Sequence, residues 1–143
     1  MAFWMNTLKK PSRSYCAMIE VGVEVQFYAT HALRGNFGPA SAPHSHHYRA
    51  RAVFCGERLN PEGVLVDICL LEASLNALSL RLEGQNLNTL EPFTHQNPTA
   101  ERLALYFWEE LEKSLRGRLP QGVSLSEVTL WESPESFARV RAS

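Results

Sequence analysis

Two stretches of alternating apolar and polar residues dominate the chain. From Ile19 to His31 the odd positions read Ile19, Val21, Val23, Val25, Phe27, Ala29 and His31. The even positions read Glu20, Gly22, Glu24, Gln26, Tyr28 and Thr30. Period-2 alternation predicts a half-buried strand over about 18–33, with His31 on its apolar face. The pattern returns at His44, His46, Tyr48, Ala50, Ala52 and Phe54, which share one face of a second strand over about 44–57. Ser45, His47, Arg49 and Arg51 point the other way. Between the strands, RGNFGPASAP reads as a loop from its Gly, Pro and Ser content.

The period then changes. Ile68, Leu71, Leu75, Leu78 and Leu82 fall at helical spacing and predict a helix over about 68–82, with Asp67 as its N-cap. Val64 to Val66, just before it, is expected to extend or cap the sheet. Residues 83–97 read as a long irregular loop, a feature that in a compact domain is usually functional. Pro98, Thr99 and Glu101 mark the start of a second helix, whose core stripe is Leu103, Phe107, Leu111 and Leu115 and whose end is Gly117. Val123 and Leu125 lie on one parity and Val128, Leu130 and Glu132 on the other, so two short strands with a bulge near Ser126-Glu127 are expected. Ser133-Pro134 forms a turn, and Phe137 to Arg141 is the last strand. The order ββααββ predicts an α+β domain, an antiparallel sheet with two helices on one face.

Composition adds bounds more than detail. At 143 residues, with 45% apolar and 20% charged residues, the chain is long enough for one domain with its own core. The expected division is a flexible N-terminal arm over 1–17 and a single domain over 18–143. A net charge of −1 without a long Lys/Arg cluster gives no sign of a nucleic-acid partner. No apolar run reaches the length of a membrane span, so no membrane partner is expected. Cys16, Cys55 and Cys69 are odd in number and far apart, which points to free thiols and a cytoplasmic location.

The candidate chemistry lies in HSHHY, His44 to Tyr48, together with His31. A His-x-His pair on a strand puts two imidazoles on one side, about 7 Å apart at Cα. A third imidazole from a paired strand completes a three-nitrogen site with an open position, as a catalytic zinc requires. Taken alone, His-x-His is a weak signal, since most histidines are surface or hydrogen-bonded core residues. His31 on the matching apolar face strengthens it, because three imidazoles buried without a partner are costly. His47 faces away and is not expected to be a ligand.

FYATHAL (Phe27 to Leu33), HSHHY, GVLVD (Gly63 to Asp67), LEGQNLN (Leu82 to Asn88), NPTAERLA (Asn97 to Ala104) and WES (Trp131 to Ser133) occur in a telling order and spacing. In them the chain resembles the 6-pyruvoyltetrahydropterin synthase / 6-carboxytetrahydropterin synthase family over roughly residues 19–142. The resemblance implies a tunnelling fold (T-fold), in which ββααββ subunits join their sheets into a barrel and assemble as homo-trimers or hexamers. It implies Zn2+ held by His31, His44 and His46, the residues that strand parity also selects. It also implies a pterin substrate of the 7,8-dihydroneopterin (triphosphate) type, anchored by Glu132 and altered by side-chain lyase or elimination chemistry. A carboxylate suits that anchoring role, accepting paired bonds from a pterin's amino group and ring N–H.

The departures from the family pattern concern proton transfer. The family's cysteine ahead of the His-x-His pair is Ala40 here, and its Asp-His pair is Glu83-Gly84. Glu83 is therefore the surviving candidate for a catalytic carboxylate. The alternative is a catalytically silent pterin- or zinc-binding paralogue, acting as a sensor or assembly partner. A weaker reading is a hexamer whose zinc is purely structural, with protein filling the fourth position. The pathways compatible with the resemblance are those of a queuosine precursor, folate and biopterin.

Overall fold

The computed structural model describes residues 17–143. Cys16 and nearly all of the expected N-terminal arm lie outside the described residues. Strand β1 spans Ile19–His31 and β2 spans His44–Gly56. They pair antiparallel along their whole length, from Ile19 opposite Gly56 to His31 opposite His44. Helix α1 spans Ile68–Leu82 and α2 spans Ala100–Leu115. Strands β3 (Ser124–Ser133) and β4 (Ser136–Arg141) complete a four-stranded antiparallel sheet in the order β1-β2-β3-β4. This is the α+β ββααββ arrangement expected.

The local signals act as their chemistry dictates. The Asp67 carboxylate accepts the amide of Cys69 at 3.0 Å, and the Thr99 hydroxyl accepts that of Arg102 at 3.2 Å, so each helix start has a side-chain cap. The core lies between the helices and the apolar face of the sheet. Phe27 is its centre, stacked on Tyr48 at 5.0 Å and on Phe107 of α2 at 5.7 Å. Truncating such a buried ring typically costs about 3–5 kcal/mol.

Three expectations change in detail. The two short strands after α2 are one strand, β3, because the extra residue is absorbed in a bulge where Val53 faces Glu127 and Phe54 faces Leu125. Val64 to Val66 forms no strand; Leu65 and Val66 turn inward and bury against the core. Ile68, expected on the helix stripe, is 47% exposed.

Residues 83–99 are ordered against the end of β1. The amide of Thr30 donates to the Gln85 carbonyl at 2.9 Å, and the amide of Gly84 donates to the Tyr28 carbonyl at 2.7 Å. Leu87 and Phe93 anchor this segment in the core. Among the described residues, no helix is long and apolar enough to cross a membrane.

Candidate metal centre

Sheet register places His31 and His44 side by side. His31 is the last residue of β1 and His44 the first of β2, and they are direct partners. His46, two residues on and opposite Ala29, projects from the same face. Glu132, near the end of β3, brings its carboxylate to the same point. One ligand atom from each of these four side chains lies within 4.8 Å of all the others.

The protonation pattern follows from the partners. His31 Nδ1 is 2.7 Å from the Pro98 carbonyl oxygen, and His44 Nδ1 is 2.8 Å from that of Ala42. A carbonyl can only accept, so each Nδ1 carries a proton, and in the neutral imidazole each Nε2 then presents a lone pair. Those two Nε2 atoms are 2.9 Å apart. His46 Nε2 is buried without a hydrogen-bond partner, although Glu132 Oε1 is 3.2 Å away. Glu132 Oε1 is also 3.7 Å from His31 Nε2.

Lone pairs converging on one point are unfavourable without a cation. Tetrahedral zinc, with bonds of about 2.0–2.1 Å, sets its ligand atoms about 3.3 Å apart. Three of the six separations, 2.9, 3.2 and 3.7 Å, bracket that value, and all six lie within 4.8 Å. The donor set therefore fits a divalent metal of the zinc type. Burial pushes the His31 imidazolium pKa down; the Pro98 bond opposes this, the other two imidazoles add to it, and Glu132 opposes it. Burial likewise lowers that of His46, with Glu132 opposing and His44 adding. Neutral imidazoles are the form that ligates.

Backbone and side-chain amide contacts hold the end of β1 that carries His31. The Asn88 side chain accepts the Ala32 amide at 2.8 Å and donates to the Ala32 carbonyl at 2.9 Å. Asn97 does the same for Arg34, at 2.7 and 2.9 Å. Each amide thus pairs with the backbone as a neighbouring strand would, fixing the chain just past His31. Pro98 then orients the imidazole, as carbonyls behind metal-bound histidines commonly do. The sequence does not reveal these contacts. Asn88 stands in the motif LEGQNLN, and Asn97 and Pro98 open NPTAERLA at a helix start, but a carbonyl oxygen leaves no trace in residue type. The Tyr48 hydroxyl was also missed: it is buried beside the cluster without a partner, and burial with the Glu132 charge pushes its pKa up.

Glu83 and the other two histidines lie outside the cluster. Glu83 is exposed, and its Oε2 accepts the Tyr28 amide at 2.8 Å, so the structure does not bring it into the four-residue cluster. Gly84 has φ +73°, a left-handed conformation that a histidine would adopt only with strain. His47 lies on the opposite face against Tyr28, with ring centroids 4.9 Å apart. His95 is exposed and 3.9 Å from Glu91. Ser41 is engaged within its own loop, donating to the Gly35 carbonyl at 2.7 Å and accepting the Phe37 amide at 3.1 Å.

The family of 6-pyruvoyl tetrahydropterin synthase matches residues 20–143. A dihydroneopterin monophosphate aldolase of Pyrococcus furiosus is 30% identical over 92 residues, which span 64% of this chain and 72% of that protein. The Caenorhabditis elegans 6-pyruvoyl tetrahydropterin synthase structure superposes with a TM-score of 0.79 at 22% identity, covering 89% of this chain and 97% of the other. The Plasmodium vivax 6-pyruvoyl tetrahydropterin synthase structure gives a TM-score of 0.70 at 18% identity, covering 88% and 98%. The two structures share the fold.

Proposed function

The chain belongs to the 6-pyruvoyl tetrahydropterin synthase family, and on that premise we propose that it is a zinc-dependent lyase acting on the side chain of a 7,8-dihydroneopterin phosphate. The observation that carries this reading is the pair of facing Nε2 lone pairs of His31 and His44, with His46 Nε2 buried and unpartnered beside them. His31, His44 and His46 would hold the ion. When bound, zinc supplies Lewis acidity toward substrate oxygens.

The chain's own residues set the rest. Pro98 and Ala42 fix the tautomers of His31 and His44. Glu132 anchors the pterin by accepting from its amino group and ring N–H. Glu83 is the proposed proton-transferring carboxylate; one of its oxygens is committed to Tyr28.

Two features favour carbon–carbon cleavage over the synthase reaction. Ala40 and Gly84 replace the thiol and imidazole expected of a synthase, and one relative is a monophosphate aldolase. In such a cleavage the 2′ hydroxyl loses its proton and the C1′–C2′ bond breaks. The carbon left on the ring is protonated, and a two-carbon aldehyde phosphate departs. The same two replacements are also what a catalytically silent pterin-binding paralogue would carry.

The sheet ends at β1 and β4, and strand edges left open favour pairing with further copies. A homo-trimer or hexamer is therefore the proposed assembly. The test is incubation of zinc-loaded protein with dihydroneopterin monophosphate and, separately, triphosphate, read by mass spectrometry. A 6-hydroxymethyl dihydropterin supports the aldolase reading, and a 6-pyruvoyl product the synthase reading. Unchanged substrate in both mixtures contradicts an enzyme, and co-elution with the protein then supports the silent paralogue.

A further inference from the structure

Glu132 stands where two roles meet. Its proposed partner is a pterin ring, yet its Oε1 lies 3.2 Å from His46 Nε2 and 3.7 Å from His31 Nε2, at separations suited to a shared cation. The Glu132–His46 approach is not a hydrogen bond: His46 Nε2 is buried and has no hydrogen-bond partner. Both atoms instead face a common point. Among the described residues, the ion-pair partners of Glu132 are these two histidines, and no Lys or Arg side chain neutralises it. Three neutral imidazoles leave a divalent cation uncompensated, and a carboxylate supplies the missing negative charge. Glu132 is also 30% exposed at its side chain, so it has room to move away.

We propose that Glu132 is the fourth protein ligand of the metal centre while no pterin is bound, and that it yields this position when its carboxylate takes the pterin ring. The inference rests on the three-histidine site proposed above and adds an exchange to it. Anchoring the ring then opens the fourth position at the moment the substrate's side chain arrives. The same carboxylate keeps that position closed in the empty protein. Ring recognition and access to the metal become one event, because a single carboxylate cannot serve both.

The exchange is tested on the full-length, metal-loaded protein without turnover. Zinc affinity is measured by chelator competition, and cobalt(II)-substituted protein is followed by visible absorption. Glu132→Gln is expected to weaken zinc about 10-fold or more, since altering even a residue behind a metal ligand costs about 10- to 100-fold, and to change the cobalt spectrum of the unliganded protein. A 7,8-dihydropterin lacking side-chain hydroxyls is expected to change the wild-type cobalt spectrum, since that probe draws the carboxylate away without offering hydroxyls to the metal. His47→Ala is the control and is expected to match wild type. Equal zinc affinity and equal cobalt spectra for wild type and Glu132→Gln overturn the ligand role but leave the three-histidine site standing. A cobalt spectrum unmoved by the dihydropterin overturns the exchange. Failure of the wild type to bind zinc overturns both the inference and the site beneath it.

Discussion

His31 and His44 face one another through their Nε2 atoms at 2.9 Å, while the Nδ1 of each is held by a backbone carbonyl. The backbone has thus chosen the tautomer that leaves two lone pairs converging. This arrangement requires residues 83–99 as much as the strands, since Pro98 is the contact behind His31.

Asn88 is expected to matter to that arrangement without touching a ligand. Asn88→Ala removes both of its bonds to Ala32 and should lower stability by about 1–3 kcal/mol. It should weaken zinc binding as well, because the end of β1 loses its support. Chemical denaturation and a zinc titration check this, and wild-type values in both would show that the amide does not position the site.

Glu127 should give the fold an acid-sensitive component. Burial raises its carboxyl pKa, but hydrogen bonds from Arg141 and Thr129, with the charges of Arg139 and Arg141, outweigh this and hold it below 4.5. A carboxyl whose pKa is lower in the folded state stabilises the fold fully above its unfolded value. That stabilisation is lost as pH falls through the folded value. The midpoint of urea unfolding should therefore fall below about pH 4.5, and Glu127→Gln should flatten that part of the profile. Identical profiles would mean that the cross-strand cluster contributes nothing.

Much of this was legible from residue order because period and parity have few solutions. Alternation in β1 and β2 put His31, His44 and His46 on one face, and the parity change around Ser126 located the β3 bulge. Ile68, Leu65 and Val66 were less legible, because helical spacing says which face is apolar but not where the core ends. The carboxylates were hardest to place. Glu83 keeps the chemistry of its position yet sits on the Tyr28 amide, a contact between residues 55 apart that no local pattern encodes. Glu132 was legible as an inward-facing carboxylate, but its approach to His46 depends on how β3 packs beside β2.

Glu83→Gln tests whether that carboxylate moves protons. If it does, product formation should fall by about 10²-fold or more, with zinc content unchanged. An unaltered rate would assign Glu83 to bracing β1 through Tyr28.

Association of the open sheet should be visible in solution. Sedimentation equilibrium is expected to give three or six chains per particle, and a monomer at micromolar concentration would contradict barrel closure between subunits.

The most direct measurement is metal content per chain in the purified protein and in the His44→Ala/His46→Ala double variant, by elemental analysis. About one zinc per chain in the first and none in the second is the expected result. Equal zinc in both, with the double variant folded by circular dichroism, would contradict the three-histidine centre.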